Sequence, residues 1–133
     1  MIKYARKFPE AWDSVTWEKS RVELLDRATG EILFELDDAE FPSGFSEHAR
    51  RIIASKYFKG VKPGSSENPE TSFRQVVARI VKTIRRHAVD MELMDERSSI
   101  AFENDLAYLI INQIALFNSP VLFNVGIPER NQN

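Results

Sequence analysis

The stretch Ser72-Phe73-Arg74-Gln75-Val76-Val77-Ala78-Arg79-Ile80-Val81-Lys82-Thr83-Ile84-Arg85-Arg86-His87-Ala88 is the most regular in the chain. Phe73, Val76, Val77, Ile80, Val81, Ile84, Ala88 and Met91 recur at helical spacing and predict one long amphipathic helix with a buried stripe. Ser72 and Gln75 form the Ser-x-x-Gln pattern of a capping box, which sets the start of that helix. Its remaining faces carry Arg74, Arg79, Lys82, Arg85 and Arg86, with no acid between Glu70 and Asp90. Such a basic face can attract a phosphate or an acidic partner surface. The plainer expectation is a solvated face balanced by acids from other segments.

Outward from this helix the pattern stays readable. Towards the N-terminus, Ser46 is a suitable cap and Gly60 a suitable stop for a shorter helix to Phe58, with Ala49, Ile52, Ile53 and Tyr57 as its buried stripe. His48 reads as a partly exposed residue of that helix. Residues 61–71 read as a loop dense in turn formers. Residues 21–36 alternate as a β-hairpin, with Val22 and Leu24 before the turn and Ile32, Phe34 and Leu36 after it. Gly30 supplies the positive φ at the turn exit. A lone hairpin is marginal in water, so it must lie on something. Asp37, Asp38 and Glu40 could form a metal or general-base cluster, but a solvated connector is the simpler reading. Residues 1–20 read as an irregular arm pinned to the body by Phe8, Trp12 and Trp17. A third helix is expected from Ser98 or Ser99 to Leu116, with Phe102, Leu106, Leu109, Ile110, Ile114 and Phe117 on one face. Ile111 and Ala115 widen its apolar surface and make it central to the core, and Asn112 and Gln113 then need hydrogen-bond partners. Val121 to Val125 form a short apolar strand.

The expected fold class is therefore α+β, mainly helical: three helices, a hairpin and a C-terminal strand. The expected organisation is a single domain over 1–133, with an arm at 1–20, the hairpin at 21–36, a helical body at 46–116 and a terminal segment at 117–133. At 133 residues the chain is long enough for a core without staples. It has no cysteine, which excludes disulfides, thiolate metal sites and cysteine chemistry within the chain. The two histidines, His48 and His87, lack the spacing of a zinc site. A net charge of −2 gives no general attraction to nucleic acid or to anionic membranes, and neither is expected as a partner. No apolar run is long enough for a membrane span, and the basic N-terminus lacks the apolar region of a signal peptide. The expected location is the cytoplasm. Phosphate-loop, dinucleotide-turn, nucleophile-elbow and metalloprotease motifs are all missing.

The run Asn112-Gln-Ile-Ala-Leu-Phe117-Asn118-Ser119-Pro120-Val121-Leu122-Phe123-Asn124-Val125-Gly126 resembles the N-terminal region of adenosylcobalamin-dependent (class II) ribonucleotide reductases. Their characteristic run is Phe-Asn-Ser-Pro-Val-aromatic-Phe-Asn-Val-Gly, from which this chain departs only at Leu122. Thr29–Glu35, Glu40-Phe41-Pro42, Lys56–Gly60 and Glu70–Val76 match in the same order. The resemblance implies a mostly helical domain that precedes a ten-stranded α/β barrel, with the strand at 121–125 leading into it. It implies an enzyme that reduces ribonucleotides to deoxyribonucleotides by thiyl radical chemistry initiated on adenosylcobalamin. It assigns Ser119 and Asn118 to the substrate loop. Pro120 biases Ser119 away from helical angles, so that its hydroxyl and amide can face a phosphate or ribose oxygen. The alternative for Ser119 is an ordinary capping serine at a helix end.

The thiyl cysteine, its redox partners and the cobalamin site are not among these residues. The chain alone is thus expected to be inactive, with no catalytic, cofactor-binding or metal-binding residue of its own. A chain that threads an apolar strand and then stops reads as one part of a longer or split enzyme. Its expected partners are the catalytic barrel and, in the complete enzyme, the ribonucleotide; an exposed apolar tail also favours a homo-oligomer. Two rivals remain. One is the N-terminal domain of a class I reductase, which draws its radical from a separate metal-containing subunit. The other is a free-standing helical interaction module that docks through Arg74–Arg86.

Overall fold

The structure, a computed structural model, describes residues 1–60 and 68–112. The elements in order are β1 (Trp17–Leu25), β2 (Ile32–Pro42), α1 (Glu47–Tyr57), α2 (Phe73–Asp90) and α3 (Glu96–Ile111). Three helices and an antiparallel hairpin give the expected α+β class. The strand expected at 121–125 lies outside the described residues. The chain divides into two compact units, Thr16–Val76 and Met1–Val15 with the chain from Val77 onward.

In the Thr16–Val76 unit, β1 and β2 pair from Trp17↔Pro42 to Leu25↔Ile32, with irregularities between Ser20 and Val22 and between Leu24 and Leu25. The Asp26 carboxylate accepts from the amides of Ala28 (2.7 Å) and Thr29 (3.2 Å), closing the turn locally. Gly30, at φ 75°, takes the left-handed conformation the turn exit requires. The hairpin is longer than the 21–36 read from alternation. Trp17 belongs to β1, not to an arm. Asp37, Asp38 and Glu40 belong to β2, not to a connector. Strand structure persists there because Ala39 and Phe41 are fully buried while the charges take the open face. Paired Phe41 and Phe58 rings stack at 5.5 Å, and Phe45 lies 5.3 Å from Phe73.

Helix α1 begins where Ser46 accepts from the Ala49 amide, as expected. Its buried residues are Arg50 and Ala54, whereas Ala49, Ile52, Ile53 and Tyr57 are only half-buried. The predicted stripe is thus displaced, because the carbonyls of the preceding turn face the helix and demand a donor. At the start of α2, Gln75 Oε1 accepts from the Ser72 amide (3.0 Å), the return half of the capping box. Ser72 Oγ accepts from Arg74 rather than from Gln75.

In the other unit, Val77, Ile80 and Val81 are buried along α2, with Ala88 near its end. Met91 lies past the helix and is 65% exposed, so it leaves the predicted stripe. Helix α3 starts earlier than Ser98: Asp95 caps it by accepting from the Ser98 amide (2.8 Å). Its deepest residues are Ser98, Ser99, Asp105, Ala107, Ile110 and Ile111, with Phe102, Leu106 and Leu109 half-buried. The apolar face read from helical spacing shifts because the N-terminal arm lies on this helix. Phe8 stacks on Tyr108 at 4.8 Å, and Tyr4 meets Phe102 edge-on at 5.6 Å. The described helix ends at Ile111.

Candidate functional site

Ser119 and Asn118 lie outside the described residues, as do Ile114, Ala115 and Phe117 of the predicted apolar face. The last described residue, Asn112, is firmly placed. Its side-chain amide donates to the Tyr108 carbonyl (2.9 Å) and to Ser14 Oγ (3.0 Å), so the end of α3 is tied to the arm. This supplies the partners that Asn112 was expected to need.

The arm is fixed to α3 by a carboxylate that sequence reading overlooked. Asp105 is 2% exposed. It accepts from the Tyr4 hydroxyl (2.6 Å), the Lys7 amide (2.8 Å), the Phe8 amide (3.1 Å) and the Asn104 side chain (3.2 Å). Burial pushes its carboxyl up, but these donors together hold it below the usual carboxylate range. The hydrogen bond to Asp105, with some help from burial, pushes the Tyr4 phenol up to about 12. Nearby, Lys3 and the Ser98 amide hold Asp95 well below the usual range. The available signal was a polar pair, Asn104-Asp105, inside a helix apolar nearly all round.

The second overlooked residue is Arg50, 6% exposed. Its Nε donates to the Phe45 carbonyl (3.0 Å). Nη1 donates to Glu18 Oε1 (2.8 Å) and Ser20 Oγ (3.0 Å), and Nη2 to the Ser43 (3.1 Å) and Pro42 (3.4 Å) carbonyls. The guanidinium also lies 5.8 Å from the Phe41 ring centre. This set of contacts ties α1 to β1 and to the turn after β2.

Two residues of the basic face of α2, Arg74 and Arg85, are paired with acids. Arg74 pairs with Glu40 (3.1 Å) and lies 4.2 Å from the Trp17 ring centre. Arg85 pairs with Glu103 (2.8 Å) and Glu96 (3.0 Å), which raise its pKa. The acidic patch is compensated too: Asp37 pairs with Arg21 (2.6 Å), and Glu40 accepts from Ser72 Oγ (2.7 Å). Among the described residues, no group of His, Asp and Glu side chains is arranged to hold a metal ion.

The grooves of the Thr16–Val76 unit do not fit a corrin either. Two open grooves of about 410 and 430 Å³ lie on the Thr16–Val76 unit. Glu18, Arg21, Glu23, Glu47, Arg50 and Arg51 line the first, and Lys19, Asp37, Asp38 and Glu40 help line the second. Both are far smaller than a cobalamin, and charged side chains contribute to the wall of each. No step through that cofactor can be derived from these residues.

Residues 19–113 match the family described as class II vitamin B12-dependent ribonucleotide reductase, through the N-terminal region of that family. A vitamin B12-dependent ribonucleotide reductase of Streptomyces coelicolor is 38% identical over 122 residues, 91% of this chain and 12% of the relative. One from Rhodopirellula baltica is 34% identical over 115 residues, 86% of this chain and 11% of the relative. The chain therefore spans about an eighth of the length of the curated relatives it matches. The match runs through the hairpin, the buried Arg50 and the pinned end of α3, and on it the chain belongs to the class II vitamin B12-dependent ribonucleotide reductases, as their N-terminal domain.

Proposed function

We infer that this domain works as the substrate-loop carrier of a complete reductase that converts ribonucleotides to deoxyribonucleotides. The observation that carries the reading is the family match over residues 19–113, which ends shortly before the Phe117–Gly126 run. In this reading the catalytic barrel comes from the rest of the enzyme, together with the thiyl and redox cysteines that this domain lacks. Adenosylcobalamin supplies radical initiation there when bound, and the protein's part is to orient the substrate and exclude side reactions. The isolated domain turns over no ribonucleotide and binds no cobalamin. The enzyme works in the cytoplasm; among the described residues no helix is long and apolar enough to cross a membrane.

Within the loop, Ser119 holds the nucleotide through its hydroxyl and amide, and Asn118 supports it. Hydrogen bonds to a charged oxygen contribute roughly 1.5–3 kcal/mol each. Replacing Ser119 by Ala in the complete enzyme removes one donor and leaves the backbone donor. kcat/KM should then fall by roughly one to two orders of magnitude. An unchanged kcat/KM would return Ser119 to a capping role.

A further inference from the structure

The outer half of the hairpin carries aliphatic surface that remains exposed among the described residues of its unit. Leu25, Ile32 and Leu33 are 46%, 53% and 42% exposed, whereas Ala39 and Phe41 near the hairpin base are fully buried. The hydrogen bonds from α1 to β1 reach Glu18 and Ser20 and extend no further towards the turn. Leu25 pairs with Ile32 at the last register position, and Leu33 falls at the adjoining irregularity. Among the described residues the sheet has two strands. A two-stranded ribbon is marginal in water, and one with three exposed aliphatics at its tip is an association surface.

The charges around this tip indicate what covers it. Arg21 and Arg27 stand against Glu23, Asp26, Glu31 and Glu35, so the rim is acidic. Arg21 is already engaged by Glu23, Glu35 and Asp37. The relatives are about eight times longer than the matched segment, which leaves most of a reductase to supply a cover. We propose that the hairpin tip docks onto the body of the same reductase polypeptide, on an aliphatic surface with a basic rim. The contact gives the hairpin its missing partner and fixes this domain against the catalytic body, independently of the substrate loop. The proposal rests on the reading of the chain as one domain of a complete reductase.

The domain has no cysteine, so Ile32→Cys places a single thiol at the tip. Lys56→Cys, at an exposed position in the last turn of α1, serves as the reference. Both are made in the complete enzyme. Maleimide labelling of each peptide is read by mass spectrometry, relative to the rate in denaturant. Half-exposed in its own unit, Ile32 gains little protection locally. Docking predicts at least about tenfold slower labelling at Ile32→Cys than at Lys56→Cys, with Leu25→Cys behaving like Ile32→Cys. Equal rates at all three positions overturn the proposal. Protection that vanishes on dilution overturns it in favour of a second copy of the enzyme. Ribonucleotide reduction is measured on aliquots taken before labelling, because maleimide also alkylates the redox cysteines of the barrel. Full labelling at Ile32→Cys with turnover retained removes the docking contact and leaves the reductase reading standing.

Discussion

Arg50 shows how one side chain can organise a unit. A guanidinium has five N–H donors in a fixed fork, and here each finds an acceptor. Three of the acceptors are carbonyls at the end of β2 and in the turn after it, near the buried Phe41, and the Pro42 carbonyl also accepts from the Phe45 amide (3.0 Å). Replacing Arg50 by Met keeps the aliphatic stem and removes every donor. The predicted loss is roughly 2–4 kcal/mol of unfolding free energy, read from urea melts of the wild-type and variant domain. Arg50→Lys should recover only a minor part, since a point ammonium cannot reproduce the fork. A loss below about 0.5 kcal/mol, the usual range for surface substitutions, would mean that these contacts are ornamental. The sequence offered little warning. Helical periodicity counts apolar positions and put Ile52 and Ile53 in the core. It cannot register that the turn after β2 aims its carbonyls at position 50.

Among the elements, the arm of residues 1–15 depends on α3 through carboxylates, and this makes its attachment sensitive to pH. Asp105 is the acceptor for Tyr4, Lys7 and Phe8, and Asp95 for Lys3. Both carboxyls are held below their ordinary values. Their contribution is therefore fully present above the unfolded carboxyl pKa of about 3.9 and is lost as pH falls through the folded values. Tyr4 acts at the other end of the scale. Its pKa is raised to about 12, so its contribution is present below the ordinary phenol value and is lost as pH rises through about 12. NMR signals of the Lys7 and Phe8 amides should hold steady across the intervening range and shift only outside it. Asp105→Asn should move both signals at neutral pH, because an amide cannot accept from all four donors at once. It should also return the Tyr4 titration towards its ordinary value. A Tyr4 midpoint unmoved by Asp105→Asn would contradict the assignment.

The same elements mark the limits of sequence reading. Three helices and a hairpin were legible because their apolar periods are long, and the caps at Ser46 and Gln75 behave as capping chemistry requires. The far end of the hairpin was not legible. Asp37-Asp38-Ala39-Glu40 looks like a connector until the register shows Ala39 facing a buried interior and Asp37 paired with Arg21. The start of α3 lies two or three residues before the expected one for a similar reason. Serines at 98 and 99 are good caps in general, but Asp95 combines a capping oxygen with the Lys3 ion pair. The proposed substrate loop rests on the Phe117–Gly126 run rather than on spacing or charge, and its residues lie outside the described ones. The structure adds the pinned Asn112 that precedes it.

For the molecule as a whole, the chain is one domain of a larger enzyme family, spanning about an eighth of the relatives it matches. Its polar clusters are internally satisfied ties, with Arg50 joining α1 to β1 and Asp105 joining the arm to α3. Neither is arranged as a reaction centre. This fits a domain that positions a loop and leaves the chemistry to other residues. The central claim is that such a domain, inert alone, is required for turnover by the enzyme that carries it. The most direct measurement is ribonucleotide reduction, with adenosylcobalamin and a dithiol, by three samples: the complete enzyme, the enzyme lacking residues 1–133, and the two parts mixed. Residues 1–133 alone serve as the control. The account predicts turnover by the complete enzyme, none by either part alone, and partial recovery in the mixture. Full turnover without residues 1–133, or any turnover by residues 1–133 alone, would contradict it.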